Sequence, residues 1–360
     1  MKDNRQTLYL ISNMYPSKAN IRYGVFVKNF KNAVNKKYKI KKIVLAKKYG
    51  KLTKLAGYLQ LYFKIFRLYF KASSHDLIYV HAPLFMAPVL SLFCWSNKKV
   101  FLNFHGNDLL FNSFKKKILS QFQKCLIKKY PVVVPSAHYE QKVTQLYKKN
   151  PDDILIYPSG GIDTKIFHPN PLLKSSDFTI SYVSSFIPEK GWNVFLNAVK
   201  ILFDRKDIPG LKILMVGDGP DKTKIKNLIK AHSLPVQLHS GLTHSQIAKI
   251  YQQSDIFIFP TRYKGESLGL VGLEAMACGV PVIGSKHPAL QTYLIEGENG
   301  FLFDTNNTED LYKTILRFYN LPQHKKEKMT KNAFETALRY ENQKVNKELL
   351  NFLTDKNPRV

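Results

Sequence analysis

The chain is predicted to be an α/β protein made of two doubly wound parallel sheets. Short apolar runs of strand character alternate with helical stretches along its whole length. At 360 residues and 44% hydrophobic content it can bury two compact cores. Near the middle, the stretch 167–176 carries two prolines between strand signals and marks the domain boundary. These observations divide the chain into an N-terminal domain (1–168), a C-terminal domain (169–335) and a final helix and tail (336–360).

In chain order, strands are expected at 8–12, 40–46, 77–81, 100–105, 132–135 and 154–157 in the first half. The second half should contribute 179–183, 212–217, 236–239, 256–260, 282–284 and 300–303. Each is a run of Val, Ile, Leu, Phe or Tyr, as strands buried on both faces require. Residues 329–353 read as helix, and the final DKNPRV as a disordered tail. No fixed-period repeat is visible.

The most informative stretch is PTRYKGESLGLVGLEAMACGVPVIGS, residues 260–285. It follows a strand, turns through Lys264, Gly265, Glu266 and Ser267, and enters a helix expected from Leu268 to Cys278, stopped by Gly279 and Pro281. A strand, a turn and a helix N-terminus make an anion site, with the N–H groups of Ser267, Leu268, Gly269 and Leu270 facing a phosphate. Glu274, further along the helix, is placed to accept hydrogen bonds from a ribose, and Glu266 to hold hydroxyls beyond a diphosphate. The plainer reading makes Glu266 a cap and Glu274 part of a solvated face. Glu274, however, is flanked by Leu273, Ala275, Met276 and Ala277, and a charge in so apolar a helix needs a partner.

Composition narrows the setting. Cys94, Cys125 and Cys278 lie far apart in no metal-ligand pattern, which predicts a reduced, cytosolic protein without disulfide or zinc. The first residues carry too short an apolar run for a signal peptide, and residues 82–95, interrupted by Pro83 and Pro88, are too short to span a bilayer. The formal charge of +29 calls for an anionic partner. Lys51–Lys71 mixes lysines and Arg67 with leucines and aromatics. As a helix, it is either an interfacial membrane binder or an ordinary covering helix with a solvated basic face; the overall charge favours the membrane. A second basic helix, 114–130, extends that face or is simply solvated. No recognition helix, zinc motif or single-strand-binding motif accompanies the lysines, so nucleic acid is not the expected partner.

With these residues in view, the chain resembles the retaining glycosyltransferases of family 4, which have the GT-B fold of two Rossmann-like domains facing across a cleft. Glu266 through Glu274 to Pro281 is similar to that family's Glu-x7-Glu signature. The run 184–191 resembles its glycine-arginine loop, and 216–220 its strand-end glycine turn. In the first domain, Pro16 and Ser17 with 23–27 are similar to the family's N-terminal glycine loop, 104–108 to its His-Gly-x-Asp turn, and 157–163 with Phe167 to its hinge segment. One departure stands out: Ser184 and Ser185 occupy the family's glycine-arginine pair.

The resemblance implies transfer of a sugar, with retention, from a nucleoside-diphosphate sugar to a hydroxyl of a lipid-linked or oligosaccharide acceptor, without metal or other cofactor. Glu266, His105 and Lys190 are the implied catalytic residues. Gly24, Ser185, Arg262, Ser267, Leu268, Gly269, Leu270 and Glu274 are the implied donor-binding set. Arg262 or Lys264 would replace the missing arginine, and the base would sit near residues 239–242. His105 alone reads equally as a turn histidine; Asp108 reads as a cap, and His81 as an acceptor-side candidate. The expected setting is cell-envelope polysaccharide assembly by a cytoplasmic protein, peripheral on the inner face of the membrane. The rival readings are a nucleotide-sugar epimerase of the same architecture, a basic nucleic-acid-binding protein, and a non-catalytic homologue.

Overall fold

The computed structural model describes residues 5–20 and 23–356. The chain forms two compact units: Met1–Gly160 with Val345–Val360, and Gly161–Lys344. Each is built on one six-stranded parallel sheet.

The first unit runs β1 (Thr7–Tyr15), α1 (Val25–Val34), β2 (Lys39–Ala46), α2 (Lys51–Lys71), β3 (Leu77–His81), α3 (Ala87–Leu90), β4 (Lys99–Asn103), α4 (Phe114–Lys129), β5 (Val132–Val134), α5 (Ala137–Tyr147) and β6 (Ile154–Ile156). Its sheet order is β2-β1-β3-β4-β5-β6. Side chains alternate between faces along each strand. Leu8, Leu10, Leu77 and Tyr79 pack under α1, whereas Tyr9, Ile11, Ile78 and Val80 pack under α2, α3 and α4. Both faces are covered, which is why the strands read as continuous apolar runs.

The second unit runs β7 (Thr179–Val183), α6 (Trp192–Arg205), β8 (Lys212–Val216), α7 (Lys222–Ala231), β9 (Val236–His239), α8 (His244–Gln253), β10 (Ile256–Phe259), α9 (Leu270–Ala277), β11 (Val282–Ser285), β12 (Gly300–Phe303), α10 (Thr308–Tyr319) and α11 (Gln323–Leu338), followed by α12 (Asn342–Asp355). Its sheet order is β12-β11-β10-β7-β8-β9. Every expected strand forms, most within a residue of its expected ends.

The domain limits differ from expectation. The division falls at Gly160/Gly161, because Ile162 and Phe167 are buried in the second unit's core and Ile162 N–H donates to the Tyr340 carbonyl at 2.8 Å. The stretch expected to link the domains holds only a short 3-10 turn, Pro171–Leu173. Residues 336–360 are no separate element. α11 continues to Leu338 in the second unit, while Val345, Leu349 and Leu353 of α12 enter the core under β1, β3 and β4 of the first. Lys356 pairs with Asp153 at 3.0 Å, and residues 357–360 lie outside the described residues.

Two thiols that are distant in sequence meet: Cys94 and Cys125, both free, have their Sγ atoms 2.7 Å apart, and burial pushes Cys94 up to about 12.

Candidate functional site

In an open parallel sheet, ligands bind beyond the carboxyl ends of the strands where the strand order reverses. In the second unit that reversal lies between β7 and β10. The loop leaving β7 carries Lys190 and the loop leaving β10 carries Glu266, and the two close on each other. Lys190 Nζ donates to Glu266 Oε2 at 2.6 Å, and Thr261 Oγ1 donates to the same oxygen at 3.1 Å. Lys190 also lies over the Tyr263 ring, 5.1 Å from its centroid. Glu266 is buried, so the loop geometry holds the pair rather than solvent contact.

The approach of the two loops depends on Gly191. It adopts φ 73°, and a Cβ there would stand 1.9 Å from the Pro260 carbonyl oxygen at the end of β10. Arg262 completes the contact: its N–H donates to the Glu189 carbonyl at 2.8 Å and its Nε to the Pro188 carbonyl at 3.3 Å. The structure therefore brings Arg262 to the loop that lacks the family's arginine. Ser185 is exposed on that loop, and Phe186 N–H donates to the Asp218 carbonyl at 2.9 Å, anchoring the loop to the glycine turn after β8.

The helix after Glu266 opens later than expected. Gly269, at φ 82°, is its N-cap, so α9 starts at Leu270 rather than Leu268 and ends at Ala277. Its first free N–H groups are accordingly those of Leu270 and Val271. Ser267 stays on the loop, and Leu268 turns into the core at 2% exposure. Glu274 lies one turn into α9 and faces the Tyr251 hydroxyl of α8; burial pushes its carboxyl up to about 7. The expected partner of this charge is thus a neutral phenol that the sequence did not disclose. His287 was also missed: it sits within electrostatic reach of Glu266 and Lys190, and burial lowers its pKa. At the end of β9, His239 Nε2 is buried and without a hydrogen-bond partner.

In the first unit the reversal lies between β1 and β3. Gly24 caps α1 at φ 72°, where a Cβ would stand 2.7 Å from the Met14 carbonyl carbon. That close approach fixes glycine at the position. His81, ending β3, and His105, just beyond β4, face each other with Nδ1 and Nε2 2.9 Å apart. Burial lowers both imidazoles, His105 to about 3, so both are neutral at pH 7 and one N–H bridges the two nitrogens. The Phe26 ring lies 4.0 Å from that of His105. Asp108 Oδ1 accepts from the His105 N–H at 2.9 Å, so it locks the turn, and burial pushes this carboxyl up to about 7. A cavity of about 840 Å³ opens beside His105, walled by α2 and the start of α4.

Among the described residues, no group of three or more His, Cys, Asp or Glu could hold a metal, and no helix is long and apolar enough to cross a membrane.

The chain has counterparts among known proteins. Residues 163–336 match the family model of glycosyl transferases group 1. The match spans nearly all of the second unit. An uncharacterized glycosyltransferase of Methanocaldococcus jannaschii is 28% identical to the chain over 224 residues, 61% of this chain and 58% of that protein. The alpha-monoglucosyldiacylglycerol synthase of Acholeplasma laidlawii is 25% identical over 230 residues, 59% of this chain and 55% of that protein. The chain spans about half the length of the curated relatives it matches. Among solved structures, Anabaena HepE, crystallised with UDP and glucose, superposes with a TM-score of 0.74 at 17% identity, covering 98% of this chain and 100% of that one. The chain therefore has the GT-B fold, and in the second unit Lys190 and Glu266 lie beyond the strand ends at its reversal, with Glu274 on the helix that follows.

Proposed function

We propose that the protein is a retaining glycosyltransferase of family 4. On this reading it moves a sugar from a nucleoside-diphosphate sugar to a hydroxyl of a lipid-linked saccharide in cell-envelope polysaccharide assembly. The observation that carries the reading is the Lys190–Glu266 pair at the strand-order reversal, beside the N-terminus of α9. As the bond from the anomeric carbon to the diphosphate breaks, negative charge collects on the departing phosphate. Lys190, Arg262 and the α9 N–H groups supply positive charge there without a metal, and a single aimed donor of this kind is worth roughly 3–4 kcal/mol. Glu266, oriented by Lys190 and Thr261, receives sugar hydroxyls, and Glu274 receives the ribose. The acceptor hydroxyl oxygen then bonds to the anomeric carbon, and its proton passes to the departing phosphate oxygen. HepE, a neighbour in fold, was crystallised with UDP and glucose, which supports a nucleotide-sugar donor.

The membrane setting is supported by α2. Gly57, Leu61, Ile65 and Leu68 are buried on one side, while Leu52, Leu55, Leu59, Phe63, Phe66 and Phe70 stay exposed. Each exposed residue from Leu55 to Phe66 precedes a buried one by two positions, about 200° around the helix, so a complete apolar stripe faces outward. The Acholeplasma relative is named for a glucosylated diacylglycerol, in keeping with a lipid acceptor.

Calorimetric titration with UDP, GDP and CDP, without metal, tests the proposal. Binding of one nucleotide, weakened in Glu274→Ala, is expected; binding of none would overturn it.

A further inference from the structure

Cys94 and Cys125 take no part in the transferase reading, yet the fold of the first unit brings them together. Cys94 lies in a short 3-10 turn, Ser91–Trp95, that follows α3, and Cys125 in the C-terminal half of α4. Three bonds tie these two segments to each other. Lys129 Nζ donates to the Cys94 carbonyl at 2.9 Å and to the Ser96 carbonyl at 2.5 Å, and the Tyr130 hydroxyl donates to the Phe93 carbonyl. Phe93, Leu126 and Ile127 are buried in the same core, so packed elements hold the two sulfurs side by side. Their Sγ atoms are 2.7 Å apart, and a covalent S–S bond of about 2.05 Å needs them to close by less than about 1 Å. Both residues are half-buried and within reach of a small oxidant, whereas Cys278 is buried. The surroundings are cationic: between residues 77 and 139 the one acidic residue is Asp108, while Lys124, Lys128 and Lys129 flank Cys125 on α4. Cations beside a thiol favour its thiolate, the form that reacts. The Cys94 S–H donates to Cys125 Sγ, and burial together with that contact raises Cys94 to about 12. Cys94 therefore keeps its proton, and Cys125 is the nucleophile.

We propose that Cys94 and Cys125 form a redox site for hydroperoxides, whose disulfide staples α4 to the turn after α3. In the first step the Cys125 thiolate attacks one peroxide oxygen and the O–O bond breaks. Cys125 becomes a sulfenic acid, and the departing oxygen takes up the proton that Cys125 gave up, leaving as an alcohol, or as water where the oxidant is hydrogen peroxide. In the second step the Cys94 sulfur attacks the Cys125 sulfur and the S–O bond breaks. The leaving hydroxide takes the Cys94 proton and departs as water. The two thiols lose two electrons and two protons, and the peroxide takes up both. The closed loop contains His105 and Asp108, so the staple restrains the unfolded chain around the turn they form. The site stands independently of the nucleotide-sugar reading.

The test is titration of the reduced, full-length protein with hydrogen peroxide, followed by acid trapping and peptide mapping without reductant. Expected is the loss of two hydrogens per chain, with the Cys94 and Cys125 peptides joined and Cys278 left as the free thiol. Dithiothreitol should restore both thiols. The oxidised protein should melt roughly 5–10 °C above the reduced one. The wild-type map needs no variant, and two variants fix the order of events. Cys94→Ser should stop at a Cys125 sulfenic acid that dimedone captures. Cys125→Ser should slow oxidation of Cys94 about tenfold or more, with little dimedone adduct. Unjoined peptides, or peptides joined only between separate molecules, would overturn the site. A joined pair with no rise in melting temperature would overturn the staple, and ready dimedone capture at Cys94 in Cys125→Ser would overturn the choice of nucleophile.

Discussion

Lys190 Nζ lies 2.6 Å from Glu266 Oε2, joining two loops 76 residues apart, and both side chains are largely buried, at 17% and 10% exposure. Removing either partner strands the other's charge in a poorly solvated site. Lys190→Ala and Glu266→Gln should each lower sugar transfer about a hundredfold or more. Because the two act as a unit, the double variant should be scarcely worse than either single one. Additive losses in a double-mutant cycle of kcat/KM would show that they act separately.

Glu274 should make nucleotide binding pH-dependent. Its carboxyl, held near 7 by burial, must be ionised to accept two ribose hydroxyls, so binding releases a proton. Affinity should rise as pH climbs through 7 and level off above it, with binding at pH 6 about tenfold weaker than at pH 8. Calorimetry in two buffers of different ionisation enthalpy reads the released proton. In Glu274→Gln the pH dependence should vanish; an unchanged dependence would assign it to another group.

On the proposed reading, Arg262 supplies the positive charge that an arginine at Ser184 or Ser185 would carry. Arg262→Ala should therefore reduce kcat about tenfold, a moderate loss for an exposed cation. Adding Ser185→Arg to that variant should restore much of it. Failure of the rescue, with the fold intact by circular dichroism, would show that Arg262 only ties down the Pro188–Lys190 turn.

The His81–His105 pair should set the first unit's response to acid. Both folded pKa values lie below the unfolded value of about 6.5, so the pair's contribution is complete above that pH and is lost as pH falls below it. At pH 5.5 His105, lowered to about 3, should cost on the order of 1 kcal/mol, and His81 acts in the same direction. Denaturant melts of His81→Asn should show a smaller loss between pH 7 and 5.5 than the parent; an identical loss would place the effect elsewhere.

The outward stripe of α2 gives a separate prediction for the membrane. Leu59→Ser, Phe63→Ser and Phe66→Ser together should abolish sedimentation with anionic vesicles, since burying three such side chains is worth several kcal/mol. These residues make no part of the first unit's core, so the melting temperature should hold. Undiminished sedimentation would locate the membrane face on another surface.

The strands were legible because each is an apolar run buried on both sides, a pattern that composition alone reveals. What depends on distant contacts was not. The start of α9 was misjudged because Leu268 favours helix, yet it turns into the core while Gly269 takes the left-handed conformation that opens the helix. Glu274 was legible as a carboxyl out of place, but its neighbour Tyr251 sits on another helix. His81 and His105 are 24 residues apart, and Cys94 and Cys125 are 31 apart; only the sheet order brings each pair together. The domain limit was misplaced because the prolines mark a surface turn, whereas Ile162 and Phe167 before them already belong to the second core.

The contribution of α12 to the first unit bears on how the protein is made. Val345, Leu349 and Leu353 complete a core whose other buried residues end at Tyr157, and the whole second unit is synthesised between them. At roughly 5–20 residues per second, the ribosome leaves that interval open for about ten to forty seconds. Throughout it, the face of the sheet destined for α12 stays uncovered on the nascent chain, so the interval is when chaperone demand and the risk of aggregation are greatest.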